Sequence, residues 1–211
     1  MISIQRLTGR PREFFGLMEE SAQLGAESAR ALRSVVTGPG RSRPDLTAVV
    51  EARRKDKEVY QKLDSLLSRV FATPIEREDL AAIGQKLYKL PKTIEKFAER
   101  YEIVHDKVGD TDFGIVIGML ERATEIVVRM VHSLAWSPAA LSEINAMKAR
   151  LSQIKAEAGH VLLDAERRLY ASGPAPLTAI VTKELYDLLT ECLEVCRSIG
   201  GTLALAVLKN S

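Results

Sequence analysis

Aromatic residues are scarce in this chain: one tryptophan, five tyrosines and five phenylalanines among 211 residues. With 46% hydrophobic residues but only 5% aromatics, the core must be built from Leu, Ile, Val and Ala, which suits packed helices. Cysteine is nearly absent. Cys192 and Cys196 are the only two, one helical turn apart on an apolar stripe, and they read as core residues of a reduced, cytoplasmic chain, not as a disulfide or metal site. No excess of one charge exists either. Thirty basic and twenty-eight acidic side chains leave a formal charge of +2, too small and too evenly interspersed to make nucleic acid the default partner. Long apolar runs are missing as well. The stretch Ile115 to Leu120 falls far short of the ~20 residues that a membrane-spanning helix needs, and Met1 to Arg6 has no apolar run of signal-peptide length. The expectation is a soluble, elongated, single-domain protein.

Catalytic patterns are lacking too. Ser, His and Asp all occur, yet nothing resembles a nucleophile elbow or a glycine-rich phosphate loop. His105, His132 and His160 fall on three different helical patterns with no Cys or carboxylate at a ligand-like spacing, so they read as surface or capping residues. Gly109-Asp110-Thr111-Asp112-Phe113-Gly114 has the composition of a calcium loop but lacks the twelve-residue ligand pattern and its closing Glu. A loop that caps the next helix accounts for it. The reading is therefore of a non-enzyme with no implied cofactor.

What the chain does contain is helical periodicity, in six stretches. The first runs from about Pro11 to Val36 with Phe14, Leu17, Met18, Leu24, Leu32 and Val35 on one stripe, and Thr37-Gly38-Pro39-Gly40 ends it. Asp45 is placed to cap the second, about Leu46 to Val70, which carries Val49, Ala52, Val59, Leu63 and Leu66. Arg53 and Lys57 intrude on its inward side. Within it, Glu51 to Lys57 reads as a solvated face laced with i,i+4 pairs. Thr73-Pro74 is expected to cap and open the third, which keeps one apolar phase through Leu80, Ile83, Leu87, Leu90, Ile94, Phe97 and Val104. Pro91 lies inside that phase, so a kink is expected there, not a break. The fourth starts at Asp112 and runs to Trp136, and the fifth is expected to be capped by Ser137-Pro138 and ends at Ser172-Gly173-Pro174. The sixth spans about Leu177 to Leu208, with Gly200-Gly201 either permitting close helix approach or marking fraying. Ser68 to Pro74 and Arg168 to Pro174 are similar helix ends about one hundred residues apart, each followed by a long helix. Two three-helix halves follow, about 11–108 and 112–209, within one domain.

The string Phe71-Ala72-Thr73-Pro74-Ile75-Glu76-Arg77-Glu78-Asp79-Leu80 resembles the signature of the PhoU-like phosphate-transport accessory family, a group whose genes often neighbour the phosphate transporter Pit. Two further motifs occur in the right order: Phe14-Phe15 in the opening helix, and Thr182-Lys183-Glu184-Leu185-Tyr186 in the last. The resemblance covers nearly the whole chain. It implies an all-α, six-helix antiparallel bundle, a family signature at Thr73, Pro74, Arg77, Glu78 and Asp79, and a regulatory role at a Pit-like transporter. A cytoplasmic protein, peripheral at the inner membrane through its partner, is what this implies. Homo-oligomerisation stays open.

Family members carry inward carboxylates that hold transition metals, and here this chain departs. Alignment on the signature puts Arg53 and Lys57 at the second-helix positions and Tyr88, Lys89 and Lys92 at those of the third. On the fifth helix the places become Lys155 and Gly159, and on the sixth Thr190, Glu194 and Ser198. Cationic side chains cannot replace carboxylate ligands, so no metal is expected. A one-residue slip would bring Asp56 or Asp64 into play. The alternative function is an anion site, for phosphate, built from Arg53, Lys57, Lys89, Lys92 and Lys155.

Overall fold

The computed structural model describes residues 10–37, 43–70, 73–134 and 140–209. The six apolar periods become six α-helices: α1 (Arg10–Thr37), α2 (Thr47–Arg69), α3 (Arg77–Val104), α4 (Gly114–Leu134), α5 (Ala140–Ala171) and α6 (Pro176–Lys209). A 3-10 turn, His105–Lys107, follows α3. No strand occurs among the described residues. Helices of 21 to 34 residues make rods of roughly 30 to 50 Å at 1.5 Å rise per residue.

α1, α2 and α3 pack on one another, α4, α5 and α6 do the same, and the halves join where α1 meets α4 and α3 meets α6. The result is an antiparallel bundle in two layers. α2, α3, α6 and α5 lie side by side in that order, with α1 and α4 beneath them. The stripes supply the core: Phe14 and Leu32 of α1, Leu90 and Phe97 of α3, Ile117 of α4 and Leu185 of α6 are buried in one cluster spanning both halves. At the start of α4, Phe113 sets its ring edge-on to Phe97, Tyr101 and Tyr186. Cys192 and Cys196 are fully buried free thiols. Burial pushes the Cys196 thiol up to about 12 and the Cys192 thiol well above its ordinary value, so neither is a reactive thiolate.

Asp45 and Asp112 each accept the first N–H of the helix that follows, although Leu46 and not Asp45 holds the N-cap position of α2, and the third expected cap does not form. Asp45 Oδ1 accepts from the Thr47 N–H at 2.9 Å and Asp112 Oδ1 from the Gly114 N–H at 2.7 Å, and Thr111 Oγ1 closes the intervening loop by donating to the Val108 carbonyl at 2.6 Å. Thr73-Pro74, in contrast, neither caps nor opens α3. Its hydroxyl donates to the Ile75 carbonyl at 2.7 Å and the helix begins only at Arg77, because that short-range bond holds the segment in a bend. α3 continues through Pro91, which is buried. The expectations for Met1–Arg6, Gly38–Arg41, Phe71, Trp136 and Ser137-Pro138 lie outside the described residues.

Candidate functional site

The charged run of α2 is not uniformly solvated, and this is where the polar site begins. Arg54 and Lys55 pair with Glu51, and Arg54 with Glu58, on the surface, but Asp56 is 0% exposed and Arg53 only 9%. Ser21 of α1 donates to Asp56 Oδ1 at 2.6 Å, and Arg53 Nη1 stands 3.3 Å from Oδ2. Arg53 then reaches α3. Its Nε is 3.7 Å from Glu95 Oε2, and its guanidinium carbon lies 4.1 Å above the centre of the Tyr88 ring, which itself stacks on Tyr60. Two carboxylates and an aromatic face thus surround this cation. Burial pushes the Asp56 carboxyl up to about 6 against the opposing pull of Ser21 and Arg53. Glu95 is raised as well, by burial and by Glu99, while Arg53 and Lys92 pull it down.

The sequence pairing of Arg53 with Lys57 is corrected by this geometry. A helical step of 100° separates Asp56 from Lys57, so the buried stripe takes Ala52, Arg53, Asp56 and Val59 while Lys57 is exposed. Asp56, the residue that a one-position slip would bring into play, is the one that turns inward.

Beyond Tyr88 a groove of about 800 Å³ separates α3 from α6. Threes and fours along α3 bring Lys86, Lys89, Lys92 and Lys96 to it, together with Glu95 and Glu99, and α6 supplies Glu191 and Glu194. Charges balance here. Lys89 and Lys96 stand 3.3 and 3.6 Å from the two oxygens of Glu191, and Lys86 donates to Ser198 Oγ at 2.8 Å. Glu194 pairs with Arg197, whose hydrogen bonds hold its carboxyl below the ordinary range, and stands 3.7 Å from Lys155 of α5. The structure therefore brings Arg53, Lys89, Lys92 and Lys155 onto one strip across α2, α3, α6 and α5. It interleaves them with carboxylates. Glu95 and Glu191 are the partners that alignment on the signature overlooked, with Glu99 lining the same groove, although Lys92, Glu95, Lys96 and Glu99 alternate in sign at helical spacing. Among the described residues, no group of three or more His, Cys, Asp or Glu side chains is placed to hold a metal ion.

The signature residues act at the opposite end of α3. Arg77 donates to the Leu67 and Val70 carbonyls, which the end of α2 leaves without helical partners. Asp79 accepts from Lys209 Nζ at 2.9 Å, and Glu76 from the same ammonium at 3.3 Å, which ties down the end of α6. Three helix ends meet at this clamp. Thr73 and Pro74 form the turn that leads into it, and Glu78 is exposed. Of the histidines, His105 Nδ1 lies 2.8 Å from the Glu102 carbonyl, His132 Nδ1 lies 3.0 Å from Glu19 Oε1, and His160 is exposed.

No protein-family model matches the chain. Among curated proteins it is 22% identical over 217 aligned positions to the "Putative pit accessory protein" of Rhizobium meliloti, covering 98% of this chain and 97% of that one. It is 23% identical over 145 residues to the UPF0111 protein YkaA of Bacillus subtilis, 69% of this chain and 70% of the other. Two solved structures from Shewanella oneidensis MR-1 superpose along almost their whole length. One, described as a PhoU-like protein, gives a TM-score of 0.66 at 13% identity over 94% of this chain and 96% of its own. The other, a "putative PhoU-like phosphate regulatory protein", gives 0.67 at 14% over 95% and 100%. No helix among the described residues is long and apolar enough to cross a membrane. Among the described residues, six helices in two three-helix halves, matched end to end by these structures, give this chain the fold of the PhoU-like proteins.

Proposed function

We infer that the protein is a non-enzymatic accessory of inorganic phosphate transport, acting by docking on a Pit-like transporter at the cytoplasmic side of the membrane. One observation carries this reading: the relationship to the Rhizobium pit accessory protein runs over 98% of this chain and 97% of the relative. Shared fold alone would leave the function open. The polar strip adds support, because Arg53, Lys89 and Lys155 already face carboxylates within the bundle and the strip ties four helices into one body.

The phosphate-binding alternative rests on Arg53, Lys57, Lys89, Lys92 and Lys155. It draws less support from the geometry. Arg53, Lys89 and Lys155 each face a carboxylate within 3.3 to 3.7 Å, so a phosphate would have to displace that partner and meet its repulsion.

Co-purification tests the accessory reading. A tagged copy expressed with the source organism's Pit-like transporter is expected to appear in the membrane fraction with it, and deletion of the gene to change phosphate uptake. A tagged protein that stays wholly apart from the transporter, with uptake unchanged on deletion, would overturn it.

A further inference from the structure

Resting on the accessory reading, the question becomes which surface meets the transporter. The bundle has two unlike ends. At one, the signature clamp closes three helix termini on one another. The other, where α3 and α5 finish and α4 and α6 begin, holds a groove of about 490 Å³. Its floor is apolar, formed by Phe113 and Val116 of the α4 start, Leu162, Ala165 and Leu169 of α5 and Leu189 of α6. Ile115 stands at its edge, 57% exposed. Other large apolar side chains are left in solvent toward the same end of the molecule, among them Ile103, Tyr170, Leu177 and Ile180. Exposed apolar residues scattered singly need no explanation, but a concave apolar floor with others left exposed toward the same end does.

The rim decides the kind of occupant. Asp110 and Asp112 project from the loop on one side and Arg168 from α5 on the other. Among the described residues neither aspartate forms an ion pair; Asp112 accepts only the backbone N–H of Gly114. An unpaired acidic edge over an apolar floor is complementary to a segment with bulky apolar residues flanked by Lys or Arg. That is the composition of the short cytoplasmic loops of membrane proteins, which carry an excess of Lys and Arg.

We propose that this groove is the docking site for a cytoplasmic loop of the transporter, with apolar side chains of the loop on the Phe113–Leu169 floor and its basic residues against Asp110 and Asp112. The apolar contact supplies affinity, and the aspartates set orientation and association rate. The complex therefore weakens as salt rises through the range in which the Debye length shrinks below about 10 Å.

The test uses the full chain with the Pit-like transporter in detergent. Asp110 accepts no hydrogen bond from a described residue and Ile115 is exposed, so Asp110→Lys and Ile115→Glu leave the core intact; Leu205→Glu, on an exposed residue at the other end, is the control. Expected are a tenfold or greater loss of transporter binding for each groove variant, wild-type binding for the control, and a cross-link from a photoreactive residue at position 115 into a Lys- or Arg-bearing loop. Wild-type affinity in both groove variants, or cross-links only to a second copy of this chain or to lipid, overturns the proposal while leaving the accessory reading in place. Failure of the unaltered protein to bind the transporter removes both.

Discussion

Burying the Asp56 carboxylate costs the folded protein stability, and the pH at which it does so follows from its surroundings. The unfolded chain titrates this group near 3.8, and the folded one near 6. Above pH 6 both states are ionised and the burial cost is present in full. As pH falls from 6 to 4 the native carboxyl takes up a proton that the unfolded chain does not, so this group's contribution rises on acidification. A displacement of about two pKa units corresponds to about 3 kcal/mol. Glu95 is raised for the same reason, while paired acids such as Glu51 and Glu194 are lowered and pull the other way. The comparison must therefore be with a variant at this position alone. Asp56→Asn keeps an acceptor for Ser21 and removes the charge. Urea unfolding at pH 7 and pH 4.5 should show the variant gaining on the parent at the higher pH by about 2 kcal/mol relative to the lower. An equal difference at both pH values would mean that Asp56 carries no burial penalty.

At the scale of the helix, Gly200 and Gly201 adjoin in sequence and differ in consequence. A Cβ on Gly200 would lie 2.6 Å from Leu151 Cδ1 of α5 and 3.5 Å from the end of Met130 of α4, whereas one on Gly201 would meet nothing within 4 Å. The first glycine lets α6 approach both neighbours; the second only weakens the helix. Gly201→Ala should therefore raise stability by up to about 1 kcal/mol through helix propensity, and Gly200→Val should lower it by about 1–3 kcal/mol through overpacking. Thermal unfolding of the two variants decides; equal effects would show that α6 is not held close at Gly200. Periodicity in the sequence located these helices because leucine and isoleucine at threes and fours admit little else, and Leu185, Cys192 and Ile199 are buried as their spacing requires. The boundary at Thr73-Pro74 was less legible. A threonine before proline has the composition of a cap, but its hydroxyl has a nearer acceptor in the Ile75 carbonyl. Which residues of the Glu51–Lys57 run turn inward was illegible for a different reason. Arg53 and Asp56 satisfy each other and Ser21, Glu95 and Tyr88 from two other helices, and no local spacing announces partners that distant in sequence.

Over the whole molecule, the strip of alternating charge sets lysines and an arginine among the four carboxylates of one groove and so opposes the entry of a metal ion. Glu95, Glu191 and Glu194 each have a cation within 3.3 to 3.7 Å, supplied in turn by α2, α3 and α5. These contacts join the two halves as well as neighbouring helices, since Lys89 and Lys96 cross from α3 to α6. A divalent ion entering the groove must either expel those lysines, undoing the cross-links, or sit beside them. At ~4 Å, two unit charges of like sign repel by about 4 kcal/mol at an effective dielectric of 20, and a divalent ion doubles that for each neighbour. Such a cost is comparable with the binding free energy of a micromolar site. Protein purified without chelator is therefore expected to contain iron, zinc or manganese far below one ion per chain by elemental analysis. Replacing Lys89 and Lys96 by methionine removes the repulsion while keeping the bulk, so the doubly substituted protein should gain affinity for added manganese over the parent. Near-stoichiometric metal in the unaltered protein would show that the lysines move aside and that the ion pairs are not what fixes this groove.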